Sequence, residues 1–298
     1  MSLARDSLGY RSRFTADSVR MLPRVQPIDD ITPEWAWGGS TGRGIKVAVI
    51  DSGIDAEHPA IGGVQGHVAI VEDRAGPTFD TAPHGDLYGH GTACAGIIRK
   101  AARDCELFSV RVLGSRLTCD GRTFVAALRW AIEHGMQVCN LSLGTTKKEF
   151  FAPLHELADI AYHRNVMLVT AANNMPIPSF PSTYASVFSV ASHSQPSSSR
   201  FYYNPDPPVE FGAPGIDVTV PWQNGGWITA TGNSFAAPYI AGLIARILGK
   251  HPELTVFQMK SVLRALAANV GAAAPLDAAP PDSGGHAAPE ASPEAGEG

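Results

Sequence analysis

Three short segments of this chain pair one reactive side chain with unusually small neighbours. They are DSGID (Asp51–Asp55), HGTACAG (His90–Gly96) and GNSFAAPYIAG (Gly232–Gly242). A carboxylate, an imidazole and a hydroxyl on separate elements are what nucleophilic acyl transfer requires. The hydroxyl of Ser234 would attack, His90 would take and return its proton, and Asp51 would fix the imidazole's tautomer and stabilise its cation. Each residue alone has a plainer reading: Asp51 a turn carboxylate, His90 a hydrogen-bonded core histidine, Ser234 a helix N-cap. The conjunction of all three points to catalysis.

Other constellations are weaker. His84, Asp86 and His90 form an HxDxxxH pattern that could hold a metal, but the spacing is not a strong one and its first members fall in a Gly-rich loop. GRGIKVAVIDSG has a strand before its glycines, yet they continue as DSG and not as the GxGxxG of a dinucleotide site. The cysteines, Cys94, Cys105, Cys119 and Cys139, have no CxxC spacing and are too few for a disulfide framework, so reduced thiols are expected.

The elements that must position these groups follow from periodicity. Gly44–Ile50 is a continuous apolar run, as expected of a strand buried on both faces, and Leu107–Val112, Met136–Leu143 and Val166–Ala171 repeat the pattern. Between them, Phe124, Leu128, Ala131 and Ile132 recur on one helical face, as do Leu154, Leu157, Ala158 and Ala161. Alternating strands and helices predict an α/β fold, a mostly parallel central sheet with helices on both faces. Ligands then sit beyond the carboxyl ends of the strands, where Asp51 stands. Helices are expected to begin at His90 and near Ser234. Gly91, Ala93, Ala95 and Gly96 in the first, and Ala236, Ala237, Ala241 and Gly242 in the second, would let them pack closely under the sheet's edge. Pro238 is expected in the first turn of the second helix, where no intrahelical bond is lost. That helix start would also set N–H groups beside Ser234.

With these motifs in hand, the chain resembles the subtilisin family from about Leu22 to Ala267. Asp51, His90 and Ser234 fall in the order acid, histidine, serine that subtilisin shows. The resemblance implies a subtilisin-like three-layer sandwich and a serine endopeptidase working through an acyl-enzyme, with Asp51, His90 and Ser234 catalytic. TAANN (Thr170–Asn174) is similar to the family's oxyanion segment and implies that role for Asn174. NLSLGT (Asn140–Thr145) is similar to the segment that pairs with substrate, implying contacts from Ser142, Leu143 and Gly144. By the same resemblance Leu117, Thr118 and Cys119 lie on the other substrate-pairing segment, and Ala172 and Ser179 line the pocket for the residue before the scissile bond. Met175 would lie at that pocket's rim.

The chain departs from the family at several points. Asn173 stands where Gly is usual, a change that asparagine's tolerance of left-handed backbone would accommodate. Asn233-Ser234-Phe235 replaces the usual Thr-Ser-Met. Many relatives bind calcium through an acid after the DSG motif and a loop inserted after the histidine helix. Here Ala60 takes the acid's place and Ile97–Leu107 is short, so no metal is expected there. No cofactor is expected either.

Composition sets the outer bounds. The 298 residues are 44% hydrophobic and 17% charged, enough to bury one large core. The expected organisation is an N-terminal extension over 1–20, a peptidase domain over 21–268 and a disordered Ala/Pro/Gly/Glu-rich tail over 269–298. A net charge of -5 gives no reason to expect nucleic acid or an anionic membrane as partner. No apolar run approaches the ~20 residues that span a bilayer. The polar N-terminus lacks a secretory signal's apolar stretch and leaves no room for a long folding pro-segment, so a cytoplasmic monomer acting on a peptide or protein substrate is expected. An alternative within the enzyme reading is a protease dedicated to processing one precursor, which these features favour over bulk digestion. The alternative from another class is a catalytically silent module of the same fold that binds peptides.

Overall fold

The apolar runs become strands of one sheet. In the computed structural model, residues 31–73, 76–195 and 199–270 are described. Nine strands make the sheet: β1 (Lys46–Asp51), β2 (Gly66–Asp73), β3 (Gly76–Asp80), β4 (Glu106–Arg111), β5 (Val138–Leu141), β6 (Met167–Ala171), β7 (Phe188–Ser192), β8 (Tyr202–Tyr203) and β9 (Phe211–Ala213). A hairpin, β10 (Val218–Trp222) and β11 (Gly226–Ala230), stands apart. The helices are α1 (Pro33–Trp37), α2 (His90–Ala101), α3 (Gly121–Glu133), α4 (Phe151–His163), α5 (Asn233–Leu248) and α6 (Val256–Leu266).

The sheet order is β3-β2-β4-β1-β5-β6-β7-β9-β8, parallel except for β3 and β8 at its edges. Successive side chains of a strand point to opposite faces, and β1 shows why its apolar run is unbroken. Val47 and Val49 pack into one core with Ile98 of α2 and Ile244 of α5. Ala48 and Ile50 pack into a second core with Phe124 and Leu128 of α3 and Leu154 and Leu157 of α4. Two helical layers therefore enclose the sheet. The chain runs from β1 out to β2, returns through β4, then crosses β1 to build β5, β6 and β7. That reversal puts a crevice at the carboxyl end of β1.

The small residues of α2 and α5 serve a contact other than the expected one under the sheet's edge. A Cβ on Gly242 would stand 2.6 Å from the Ala101 Cβ, so its absence lets the two helices lie against each other. A Cβ on Gly96 would run into Pro221 of the hairpin. Helix α5 itself lies across β5, β6 and β7.

No helix among the described residues is long and apolar enough to cross a membrane. The expected N-terminal extension, and the tail from 271 on, lie outside the described residues. Asn269, assigned to the tail on sequence, brackets β8 instead: it donates to the Tyr203 carbonyl at 2.7 Å and accepts from the Tyr203 N–H at 2.9 Å.

Arg99 closes the two loops at which relatives' calcium would be sought. Its guanidinium donates to the carbonyls of Ile61 (2.9 Å), Gly63 (3.2 Å), Arg103 (2.8 Å) and Cys105 (2.7 Å). A fixed cation thus meets four converging carbonyls. Arg99→Met keeps the stem and removes every donor. It should lower unfolding stability by about 1.5–3 kcal/mol, read by denaturant melts, while excess EDTA leaves the parent midpoint in place. An unchanged midpoint in the variant, or a large EDTA shift in the parent, would overturn this role.

Candidate active site

Asp51 arrives at the crevice fully buried. Its Oδ1 accepts the Ser52 N–H at 2.7 Å, and its two oxygens lie 2.8 and 2.9 Å from His90 Nδ1. A carboxylate only accepts, so Nδ1 carries the proton and Nε2 is left as a lone-pair base. His90 is the first residue of α2, after Gly89 at φ 113°. Gly89 can adopt that left-handed angle without strain, and a side chain there would collide with the Trp222 indole. Gly91 has the other steric duty: a Cβ would meet the Gly53 carbonyl and the Asp51 side chain.

Asp86 organises the approach to this helix. It accepts from Ser52 Oγ (2.7 Å), the N–H groups of Tyr88 (2.9 Å) and Gly89 (2.8 Å), and both the N–H (2.8 Å) and hydroxyl (2.6 Å) of Thr92. Its charge therefore caps α2, whose own N-cap is a glycine. Burial alone would disfavour protonated His90. The charge of Asp51 and its hydrogen bond, with Asp86 adding, outweigh burial and raise the imidazole above its ordinary 6.5.

Ser234 is the second residue of α5, where a helix leaves N–H groups without intrahelical partners. Its hydroxyl donates to the Ser142 carbonyl at 3.3 Å, not to the imidazole. Helix α5 starts beside Ser234, at Asn233, as expected, but Pro238 falls beyond its first turn and not within it. A proline N cannot donate to the carbonyl four residues back, which here is that of Ser234. The Ser142 hydroxyl takes this oxygen instead, at 2.8 Å, with Cys94 Sγ 3.5 Å away. Ser142 and Ser234 thus hold each other reciprocally, and Asn140 Nδ2 orients the Ser142 hydroxyl at 2.9 Å. Cys94 is fully buried. Burial and then the Asp51 carboxylate push its thiol well up, so it remains a neutral filler.

Asn174 lies on the open side, after β6. Its Oδ1 accepts the Asn233 N–H at 2.9 Å. Only an oxygen can accept there, so the Nδ2 donor is turned away from that bond. Asn173 does not adopt the left-handed backbone its asparagine was expected to tolerate, and its side chain accepts the Met175 N–H at 2.9 Å. Met175 itself is exposed.

The expected pocket residues come together in part. Thr145 and Phe180 exchange backbone hydrogen bonds at 3.0 and 2.8 Å. They bring Gly144 against Ser179, whose Cβ would lie 3.6 Å from a Cβ on Gly144. Ser179 is buried and shares its hydroxyl with Ser182 at 3.1 Å. The Ala172 N–H is taken by Val190 at 2.8 Å. Leu143 packs partly into the second core, and the Ser142 side chain is turned inward. Leu117, Thr118 and Cys119 lie in the segment between β4 and α3. Leu117 takes a left-handed φ of 54°, its N–H bonded to Gly114 at 2.9 Å. Cys119 is half-buried, and burial pushes its thiol up to about 11.

The HxDxxxH metal reading has no geometric support. Asp86 is saturated by donors, and His84 turns its Nε2 to Ser109 Oγ at 3.0 Å. Among the described residues, the one set of three groups close enough to share an ion is Asp51, His90 and Cys94. Sequence reasoning missed two organisers. Asp86 was weighed only as a metal ligand, though a carboxylate four residues before a helix-starting histidine is also a cap signal. Asn233 was noted only as a departure.

The comparisons agree with this geometry. The model of the subtilase family matches residues 42–286. The chain is 30% identical over 260 residues to the minor extracellular protease Epr of Bacillus subtilis (strain 168), covering 83% of this chain and 38% of that one. It is 31% identical over 248 residues to subtilisin BL of Lederbergia lenta, covering 78% of this chain and 87% of that one. It spans 61% of the alkaline protease of Alkalihalobacillus alcalophilus, at 30% identity. Two solved structures share the fold. A cold-adapted subtilisin-like serine proteinase aligns with a TM-score of 0.63 at 24% identity, over 78% of this chain and 86% of that one. The S41 psychrophilic protease aligns with a TM-score of 0.64 at 25% identity, over 75% and 82%. With its carboxylate and histidine paired beside a helix-starting serine on this sheet, and with the family model matching most of its length, the chain belongs to the subtilase family.

Proposed function

We propose that this chain is a serine endopeptidase that cleaves peptide or protein substrates through an acyl-enzyme, with Asp51, His90 and Ser234 as its triad. The observation that carries the reading is the buried Asp51–His90 bond at the start of α2, with Ser234 at the start of α5, the helix packed against it. In this mechanism Ser234 Oγ leaves the Ser142 carbonyl by a side-chain rotation and turns to His90. Such bonds are often loose before substrate binds. Nε2 accepts the hydroxyl proton as Oγ attacks the scissile carbonyl, and Asp51 stabilises the imidazolium. Asn174 Nδ2 meets the oxygen that becomes negative. His90 then gives its proton to the leaving amine. The same imidazole activates the water that hydrolyses the ester.

Leu117–Cys119 and Ser142–Gly144 are proposed to flank an extended substrate, with Gly144, Ala172 and Ser179 around the side chain before the cut. None of these is charged, so a cationic side chain there would lose hydration without gaining a partner. Each buried methylene would add up to ~1–3 kcal/mol of discrimination. A silent binding module would have no use for the paired carboxylate and histidine, and no observation favours it.

Ser234→Ala should abolish peptidase activity while circular dichroism and melting stay those of the parent; turnover above a blank purification would overturn the nucleophile. The base must be neutral, so kcat/KM should fall as pH drops through the raised pKa of His90, with half-maximal activity above 6.5. Removing the Asp86 charge lowers that pKa, so Asp86→Asn should move the acid limb to lower pH; a limb below 6.5, or one displaced upward in the variant, would contradict the electrostatics. A degenerate peptide library read by mass spectrometry should show Leu, Met or Phe before the cut, with preference for Lys or Arg refuting the apolar pocket. Cleavage confined to one narrow sequence class would support the dedicated precursor-processing reading, and broad cleavage would remove it.

A further inference from the structure

Asn233 precedes Ser234, where the family usually carries threonine. Its carboxamide is filled on every side. Oδ1 accepts both the N–H and the hydroxyl of Ser192, each at 2.8 Å. Nδ2 donates to the carbonyls of Ala172 and Asn173, each at 3.1 Å. Its backbone N–H adds the bond to Asn174 Oδ1 at 2.9 Å. One residue therefore ties three segments together: the end of β7, the loop after β6 and the first turn of α5. Two donors and a two-fold acceptor in one planar group are needed for this. Threonine, with one hydroxyl donor on a shorter arm, cannot make all four side-chain bonds.

We propose that Asn233 is the positioning residue that sets the distance between the Asn174 carboxamide and Ser234, so that both meet the same carbonyl during acyl transfer. The inference rests on the assignment of Asn174 as oxyanion donor. Asn174 is exposed and follows a loop, and nothing in β6 fixes it relative to α5. The bonds from Asn233 to the carbonyls of residues 172 and 173 hold the loop's backbone. The N–H of Asn233 then selects the orientation of the Asn174 amide. Loss of the carboxamide removes the two bonds to the carbonyls of residues 172 and 173. The loop is then held by the Ala172 N–H on Val190 and the Asn233 N–H on Asn174. A displacement of about 1 Å at such a site can cost ~100-fold in rate.

The experiment is a kinetic double-mutant cycle between Asn233→Ala and Asn174→Ala, with an amide peptide substrate. In serine peptidases, subtilisin included, loss of an oxyanion donor costs about 100- to 1000-fold in kcat. Asn174→Ala should fall in that range, and if it leaves kcat unchanged the oxyanion assignment itself fails. Given that loss, Asn233→Ala should lower kcat by ~10- to 100-fold with KM nearly constant, and should have little further effect in the Asn174→Ala background. Equal cost in both backgrounds would overturn the positioning role while leaving the oxyanion reading intact. Asn233→Asp keeps the size and the acceptor for Ser192 but sets a carboxylate against two carbonyls. It should be no more active than Asn233→Ala, whereas parental kcat would show that only shape matters. If Asn233→Ala does not fold, Ser192→Ala removes one of the four bonds, and its smaller kcat loss should likewise vanish in the Asn174→Ala background.

Discussion

A carboxylate with no exposure to water stands at the end of a strand that is itself buried on both faces. Asp51 has to be met by protein donors, because an ionised group stripped of solvent and partners is costly by many kcal/mol. The Ser52 N–H and His90 Nδ1 supply the close donors, with Cys94 Sγ 3.8 Å from the second oxygen. Breaking such a buried pair from one side typically costs about 3–5 kcal/mol, so the position of His90 is determined by the fold's own stability. Much of the neighbourhood follows. Helix α2 must begin at His90 and come close enough for its first turn to touch Gly53, which requires Gly91. Its start needs a cap that Gly89 cannot give, and Asp86 provides one from the preceding loop while bonding Ser52 beside the same carboxylate.

The serine is held by a different logic, with fewer buried charges and more freedom. Pro238 removes one helical hydrogen bond from α5, and the freed Ser234 carbonyl is bonded by the Ser142 hydroxyl. The backbone of Ser234 is thereby anchored to the segment after β5, while its hydroxyl rests on a 3.3 Å contact that is easily exchanged. A fixed backbone with a rotatable side chain suits a nucleophile that must turn toward its base only when substrate is present. The small residues of α2 and α5 serve the same end, since the two helices carrying the histidine and the serine lie directly against each other.

What was legible in the sequence divides along physical lines. Continuous apolar runs identified β1, β4, β5 and β6, because a strand buried on both faces leaves no other pattern. The helical faces of α3 and α4 were equally plain. The triad candidates could be read because their small neighbours record steric constraints that only close packing imposes. The edge strand β3, its neighbour β2 and the β10–β11 hairpin were not read, since polar or exposed positions interrupt their patterns. Pro238 was placed a turn too early: it lies past the first turn of α5 whether the helix is counted from Asn233 or from Ser234. The roles of Asn233 and Arg99 were not legible for a common reason. Each acts on backbone groups distant in sequence, the carbonyls of residues 172 and 173 for Asn233 and those of residues 61 and 63 for Arg99, and no local pattern records which groups a fold will gather around a side chain.

Chemistry at the serine is open to direct observation. The native protein can be treated with a fluorophosphonate, digested and mapped by mass spectrometry, alongside His90→Ala and a urea-unfolded control. The expected result is a single adduct on Ser234 in the native parent, nearly absent from both controls, because the hydroxyl is reactive only when the imidazole held by Asp51 takes its proton. No adduct in the folded parent, an adduct on another residue, or equal labelling in His90→Ala would contradict a Ser234 activated through His90 and Asp51.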